Sequence, residues 1–205
     1  MIKLAWNGPK RGAPRVLLAH GAGTGMDSPF MREVAAGLAA HDIGVARFEF
    51  PYMQRRRKSG KRSPPDRAPV LLESFRSAVA QLGAADELVI GGKSMGGRMA
   101  SMLADELGVA GVLCLGYPFH PPGQPDKTRT EHLAGLKTRC LIVQGTRDPF
   151  GTREDIAGYV LSRRIRVVYI DDAGHDLAPL GGKVVREAAR ERWLEAAARF
   201  VLKGR

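Results

Sequence analysis

A glycine-rich turn between a strand-like and a helix-like segment constrains this chain more than any other feature. The turn, residues 91–97, reads GGKSMGG; it follows the run ELVI and precedes apolar residues spaced by three or four as far as Leu107. This pattern predicts a strand before the turn and a helix after it. Ser94 then occupies a sharp turn with Gly92 and Gly96 two positions to either side, the G-x-S-x-G pattern of a nucleophile elbow. We expect small residues there because larger side chains would collide across the turn, and the helix N-terminus favours a developing anion.

Strand-like and helix-like segments alternate along most of the chain. Such alternation is typical of parallel strands joined by helices, so we predict an α/β fold with a parallel sheet covered on both faces. Functional residues are then expected on loops at the C-terminal ends of the strands. Residues 51–65 are predicted to be a loop, and residues 117–138 are mostly irregular. The last predicted helix, 183–202, is expected to bury these side chains: Val185, Ala189, Trp193, Ala196 and Phe200.

Composition sets the class of protein and narrows the range of partners. With 205 residues, of which 44% are hydrophobic, the chain is predicted to be one globular domain spanning residues 1–205. Its net charge of +11 raises nucleic acid, anionic membranes and anionic substrates as partners without establishing any of them. Cys114 and Cys140 lie in apolar runs and are interpreted as buried free thiols. Residues 1–10 contain no long apolar stretch, which predicts a cytoplasmic protein.

An elbow serine is a weak nucleophile unless a histidine takes its proton and an acid orients that histidine. Asp148 directly follows the predicted strand 139–145, and His175 follows the strand 165–170. We therefore predict a catalytic triad of Ser94, Asp148 and His175, in the chain order that accompanies an elbow serine.

Other histidines and acids compete for these two roles. His120 also follows a strand, but no acid lies near it in the sequence. Asp171 and Asp172 are rival acids, although they lie on the same loop as His175. The histidines interpreted as surface residues are His41 and His132.

An oxyanion hole needs two backbone N–H groups, one from the residue after the nucleophile and one from a loop after an early strand. Met95 supplies the first. The HGAG loop at residues 20–23 supplies the second, with Ala22 preferred over Gly21 as the donor. His20 is interpreted as a support for this loop, and Lys93 as a packed or partly exposed side chain beside the nucleophile.

With these residues in view, the chain resembles the α/β-hydrolase superfamily over most of its length. More narrowly, it is similar to a small, lidless dienelactone-hydrolase-like group, which includes testis-expressed α/β-hydrolase-like proteins and a subunit of a chromatin acetylation complex. The resemblance implies a mostly parallel sheet of about six to eight strands and the triad positions named above. Residues 117–138 are too few for a helical cap, so we expect an open site. The segments that carry the resemblance are 20–23, 26–31, 91–98 and 174–175.

Two functions from different classes follow from these residues. The first is hydrolysis of an ester, or less readily a thioester or amide, through an acyl-serine intermediate. The second is a non-catalytic binding module that keeps the same fold, because this fold does not guarantee catalysis. We predict no cofactor and no metal, since the sequence contains neither metal-ligand spacing nor a phosphate-binding loop, and its glycines lack the spacing of a dinucleotide fingerprint.

A basic segment at residues 55–62 contains six Lys and Arg residues and no acid. It follows the strand 43–50, so we expect it on the same edge of the sheet as Ser94. A solvated run of charge is one interpretation. Another assigns Arg55, Arg56 and Arg57 to binding an anionic ester substrate. A third interpretation is a docking patch for an acidic partner or for nucleic acid. Nucleic acid ranks below substrate binding, because only Tyr52 lies near for base stacking.

Overall fold

The computed structural model describes residues 1–12 and 14–203. Seven strands form one sheet in the order β1-β3-β2-β4-β5-β6-β7. The strands are β1 Leu4–Asn7, β2 Arg15–Ala19, β3 Gly44–Phe48, β4 Leu88–Lys93, β5 Gly111–Leu115, β6 Cys140–Gly145 and β7 Ile165–Ile170. Only β1 is antiparallel to its neighbour β3, and the other five pairs are parallel. The predicted α/β fold with a mostly parallel sheet is therefore confirmed.

The helices cover both faces of this sheet. They are α1 Pro29–Ala39, α2 Pro51–Ser59, α3 Ala68–Leu82, α4 Met95–Leu107, α5 Glu131–Ala134, α6 Arg153–Ala157 and α7 Lys183–Leu202, with a short 3₁₀ turn at Ala85–Glu87. Side chains of a strand alternate between faces. In β2, Val16 and Leu18 pack with α1 and α7, whereas Leu17 packs with α3 and α4. Residues 116–139 contain only the four-residue α5, so this segment forms no helical cap.

Local sequence signals set several helix ends. Ser28 is the N-cap of α1, with Pro29 at the first helical position, and its Oγ accepts from Met31 N at 3.4 Å. Helix α4 ends at Gly108, which has a left-handed backbone that glycine adopts without steric cost.

The prediction of a loop over residues 51–65 is wrong for its first half. Residues 51–59 form α2, which begins with Pro51 and ends at Gly60, where φ is +68°. Arginine, lysine, glutamine and methionine are good helix formers. The last turn of α2 contains three basic residues, Arg56, Arg57 and Lys58. Their positive charges stabilise the helix because they lie at the negative end of its dipole. The basic segment is therefore mostly an ordered helical surface.

The predicted buried face of the last helix is also partly wrong. Val185 is half exposed, because every residue in the first turn of α7 is exposed. The side chains of α7 that are buried are Ala189, Trp193, Ala197, Ala198 and Val201. Both cysteines are buried free thiols, as predicted.

Candidate active site

The turn between β4 and α4 holds Ser94 in an unusual backbone conformation. Its φ is +50° and its ψ is −112°, a region that a residue with a Cβ rarely adopts. Its N–H donates to Leu115 O at the end of β5 (3.0 Å). The neighbouring strand and the helix therefore hold the serine in this turn, at the C-terminal edge of the sheet.

The glycines of the elbow are required by the end of β2. A Cβ on Gly92, whose φ is +154°, would lie 2.1 Å from Ala19 O, and one on Gly96 would lie 2.3 Å from the same oxygen. We expected side chains to collide with each other across the turn. The collision is instead with the backbone of the adjacent strand, which both glycines approach closely.

Asp148 and His175 lie together at the ends of β6 and β7. His175 Nδ1 and Asp148 Oδ2 are 2.8 Å apart, and the Asp148 side chain is fully buried. Because an ionised carboxylate only accepts, Nδ1 carries the hydrogen and the lone pair of Nε2 stays available. Phe150 packs on the His175 ring with centroids 4.3 Å apart, and its backbone N–H donates to Asp148 Oδ1 (2.9 Å).

The elbow and this pair meet at the end of β5. Ser94 N bonds to Leu115 O, and a Cβ on the next residue, Gly116, would lie 3.4 Å from His175 Nδ1. Within the described residues, no hydrogen bond joins Ser94 Oγ to His175. Hydrogen bonds between a catalytic serine and its histidine are often long in the absence of substrate, so Ser94 and His175 remain the candidate pair.

The HGAG loop lies beside the elbow. A Cβ on Gly21 would lie 3.7 Å from Ser94 Cβ. The Tyr52 hydroxyl reaches Gly21 O (3.2 Å) and Ala22 O (2.9 Å). Since the N–H of Ala22 points opposite to the carbonyl of Gly21 in a trans peptide, these contacts direct that N–H away from Tyr52. Among residues 1–12 and 14–203, no acceptor is bonded to the N–H of Ala22 or Met95.

His20 supports this loop as a neutral side chain. It is fully buried; Phe50 N donates to its Nε2 (3.1 Å), so Nδ1 carries the hydrogen that goes to Gly21 O (2.7 Å). Burial lowers the pKa of His20. The geometry therefore suits the supporting role that we inferred, and both ring nitrogens are occupied by backbone groups.

A second serine–histidine pair joins helices α4 and α5. Ser101 Oγ and His132 Nε2 are 2.9 Å apart. His132 is half-buried, so the prediction of His132 as a surface residue is only partly right. Burial, with a smaller contribution from Arg98, lowers the pKa of His132 to about 4. Ser101 lies inside α4, is 2% exposed, and donates to Arg98 O (2.8 Å). Because its one hydrogen is used there, His132 acts as the donor and is not positioned to remove a proton.

The rival residues lie in other settings. His120 is buried, and its Nε2 lies 3.4 Å from Asp155, an acid that the sequence did not bring near it. Asp155 accepts from Thr152 at the start of α6, so this pair belongs to a helix cap. Asp171 and Asp172 are both exposed.

The three arginines predicted to bind substrate differ in their partners. Arg55 pairs with Asp66, and Arg57 pairs with Glu49 (2.7 Å) and more weakly with Asp27. Arg56 instead reaches Gly23 O of the HGAG loop, at 3.4 Å. Of the three, Arg56 is therefore the one that contacts the predicted oxyanion loop.

The sequence assigned no role at the site to Gln144, and it marked Tyr52 only as an aromatic residue near the basic segment. The Gln144 side chain is fully buried; its Nε2 donates to Asp148 Oδ2 (2.9 Å) and its Oε1 accepts from Tyr117 N (2.7 Å). A glutamine in the otherwise apolar run CLIV of β6 was a detectable signal, since buried polar groups need partners. Burial raises the pKa of the Tyr52 hydroxyl to about 12. No polar residue in an apolar run marked Tyr52 in the sequence.

No cluster of three or more potential metal ligands occurs in the described part of the chain. Over the same residues, no helix combines the length and the apolar character that crossing a bilayer requires.

Comparison with known proteins agrees with the architecture. An α/β serine hydrolase homologue from Coxiella burnetii has a TM-score of 0.73 and 17% identity, over 96% of this chain and 89% of that one. A lidless α/β serine hydrolase from Xanthomonas campestris has a TM-score of 0.70 and 16% identity, over 97% and 88%. A dienelactone hydrolase from Anabaena variabilis has a TM-score of 0.70 and 22% identity, over 97% and 90%.

These structures confirm the fold and the predicted likeness to lidless, dienelactone-hydrolase-like proteins. The sequence itself matches the alpha/beta hydrolase domain family over residues 12–202. The match covers nearly the whole chain, and the protein belongs to the alpha/beta hydrolase domain family.

Proposed function

We propose that this protein hydrolyses a carboxylic ester through an acyl-serine intermediate on Ser94. The observation that carries the proposal is the buried Asp148–His175 pair, bonded at 2.8 Å, at the same sheet edge as the strained elbow serine. Its similarity to a dienelactone hydrolase supports ester or lactone chemistry. Thioesters and amides are less favoured substrates of the same mechanism.

In the proposed reaction, Ser94 Oγ attacks the ester carbonyl carbon while His175 Nε2 takes the hydroxyl proton. The N–H groups of Met95 and Ala22, with Gly21 as the alternative donor, stabilise the oxyanion. Collapse of the tetrahedral species breaks the bond to the alcohol, which receives the proton from His175. Water then attacks the acyl-serine with the histidine again acting as base, and this step releases the acid and restores Ser94.

Labelling with a fluorophosphonate tests this proposal. We expect wild type to be labelled at one serine and Ser94→Ala to show no labelling, because the probe reacts with an activated serine hydroxyl. Ser101→Ala is the matched control, since Ser101 also contacts a histidine, and it should be labelled like wild type.

Two other outcomes would contradict the proposal in different ways. Loss of labelling in Ser101→Ala, with Ser94→Ala unaffected, would transfer the reaction to the second pair. Folded wild type that remains unlabelled and cleaves no ester would favour the alternative function, a binding module that uses the basic surface of residues 55–62.

We further propose that the preferred esters are anionic and that Arg56 attracts them. Arg56 is bonded to the HGAG loop, whereas Arg55 and Arg57 are each paired with carboxylates. Arg56→Gln should lower kcat/KM for a negatively charged ester by roughly threefold to tenfold at low salt and leave a neutral ester unchanged. Arg55→Gln is the matched control, because its charge is already compensated by Asp66.

The measurement is kcat/KM for a p-nitrophenyl monoester of a dicarboxylic acid and for p-nitrophenyl acetate, each at low and high salt. High salt should reduce the difference between wild type and Arg56→Gln. Equal effects of Arg56→Gln on both substrates, or no effect on either, would leave the basic residues as a solvated surface.

A further inference from the structure

The Lys93 side chain connects the residue before the nucleophile to the loop of the histidine. Lys93 is the last residue of β4, and its Nζ donates to the backbone oxygen of His175 at 2.6 Å. The ammonium also lies over the Phe30 ring, 5.7 Å from its centroid. A cation in this position is attracted by the face of the ring. Phe30 in turn stacks on Trp193, with centroids 6.2 Å apart.

The ammonium of Lys93 and the imidazole of His175 both border the space beside Gly116. A Cβ on Gly116 would lie 2.8 Å from Lys93 Nζ, 2.8 Å from His175 O and 3.4 Å from His175 Nδ1. The charged groups that act on the ammonium are Asp148 and Asp176. No side chain could therefore be added at Gly116 without displacing the lysine or the histidine.

Several contacts hold the loop around His175, among them the bond from its imidazole to Asp148 and a bridge between Ala173 and Pro179. Leu177 N donates to Gly174 O (3.1 Å), which makes a turn around His175, and Arg147 N donates to Ala173 O (3.0 Å) before it. Within the described residues, Lys93 is the group that holds the His175 carbonyl. Because Lys93 directly precedes Ser94, its side chain links the nucleophile turn to the backbone of His175.

We propose that Lys93 is a positioning residue, whose ammonium holds the His175 backbone so that the imidazole faces Ser94. This inference rests on the proposed ester hydrolysis and assigns to that reaction a residue that touches neither substrate nor the reacting atoms. A misplacement of about 1 Å can cost roughly a hundredfold in rate, so a single contact of this kind has a measurable effect.

The titration of Lys93 gives the proposal a distinct signature. Burial lowers its pKa to about 8, against the opposing effect of Asp148 and Asp176. As the pH rises through this value, the lysine loses its charge and becomes a weaker donor to His175 O. The acylation rate of wild type should therefore decline above pH 8. A guanidinium stays charged over this range, so Lys93→Arg should lack that decline.

The test measures the rate of fluorophosphonate labelling. It also measures kcat and KM for p-nitrophenyl acetate between pH 6 and 10, a range that extends to both sides of the pKa of Lys93. Lys93→Met keeps the unbranched stem but removes the charge and the donor. It should lower kcat by roughly tenfold to a hundredfold with little change in KM. Its thermal unfolding temperature should fall by no more than a few degrees, because the loss of the hydrogen bond to His175 O is partly offset by removal of a partly buried charge. Lys3→Met, at an exposed site, is the matched control and should behave as wild type.

The outcomes separate this inference from the function on which it rests. Lys93→Met with the kcat and the pH profile of wild type would overturn the role of Lys93 while leaving Ser94 as the nucleophile. If Lys93→Met does not fold, Lys93→Arg decides: retention of the decline above pH 8 overturns the proposal, and its loss supports it. Folded wild type that is not labelled at all would overturn both the function and the positioning role.

Discussion

Asp148→Asn is expected to lower kcat by about four orders of magnitude, as removal of the orienting charge does in other serine hydrolases. Asp148 accepts from His175 Nδ1, from Gln144 Nε2 and from Phe150 N, all within 2.9 Å. An asparagine of nearly the same size leaves the pocket filled. It can present an amide NH₂ to His175, however, which favours the tautomer with the hydrogen on Nε2. That tautomer cannot accept the proton of Ser94.

Steady-state kinetics on p-nitrophenyl acetate would measure this loss, and a thermal melt would confirm that the variant folds. Asp171→Asn and Asp172→Asn are the controls, because both rival acids are exposed, and their kcat should change little. A collapse of activity in either control, with Asp148→Asn near wild type, would assign the acid to the loop of His175.

Gly96→Val should abolish the folded state or come close to doing so. The first carbon of any side chain at Gly96 would lie 2.3 Å from Ala19 O, 2.7 Å from Ala19 C and 2.9 Å from His20 O. These are backbone atoms at the end of a central strand, so they cannot move aside without breaking the sheet. Steric overlap of this kind is among the mechanisms that lower the free energy of unfolding by more than about 4 kcal/mol. Total stabilities are only about 5–15 kcal/mol.

Urea unfolding and the yield of folded protein would measure the effect. Gly135→Ala is the matched control: its φ is −101° and a Cβ there meets nothing within 4 Å, so its stability should be nearly unchanged. A Gly96→Val variant that unfolds at the same urea concentration as wild type would show that the elbow tolerates a side chain and that our steric account is wrong.

The alternation of segments and the elbow motif were sufficient to predict the fold. Strands 87–91, 139–145 and 165–170 were placed nearly as the structure has them, because each is a short apolar run bounded by turn residues. The nearness of Asp148 to His175 followed from a general rule, since parallel strands present their C-terminal ends at one edge. Their roles in catalysis, and that of Ser94, stay predictions until the variants are measured.

Errors of sequence reasoning occurred where composition and packing compete. The segment from Pro51 to Pro65 was predicted as a loop, although the arginines and the lysine at 55–58 are good helix formers. In α7, Val185 follows the helical period of the buried face but lies in a first turn that is exposed all round. His132 was placed at the surface because a single histidine has no periodic pattern, and only the packing of α5 against α4 brings it to Ser101.

Local spacing and the geometry of parallel sheets were enough to predict the class of fold, the elbow and the order of the candidate triad. The groups that support these residues became evident only from the folded chain. Tyr52 on the HGAG loop, Lys93 on His175 and Gln144 on Tyr117 each join residues far apart in the chain. Such contacts depend on how loops from different strands converge at one edge. No local pattern of residues encodes that convergence, because it arises when the whole sheet packs.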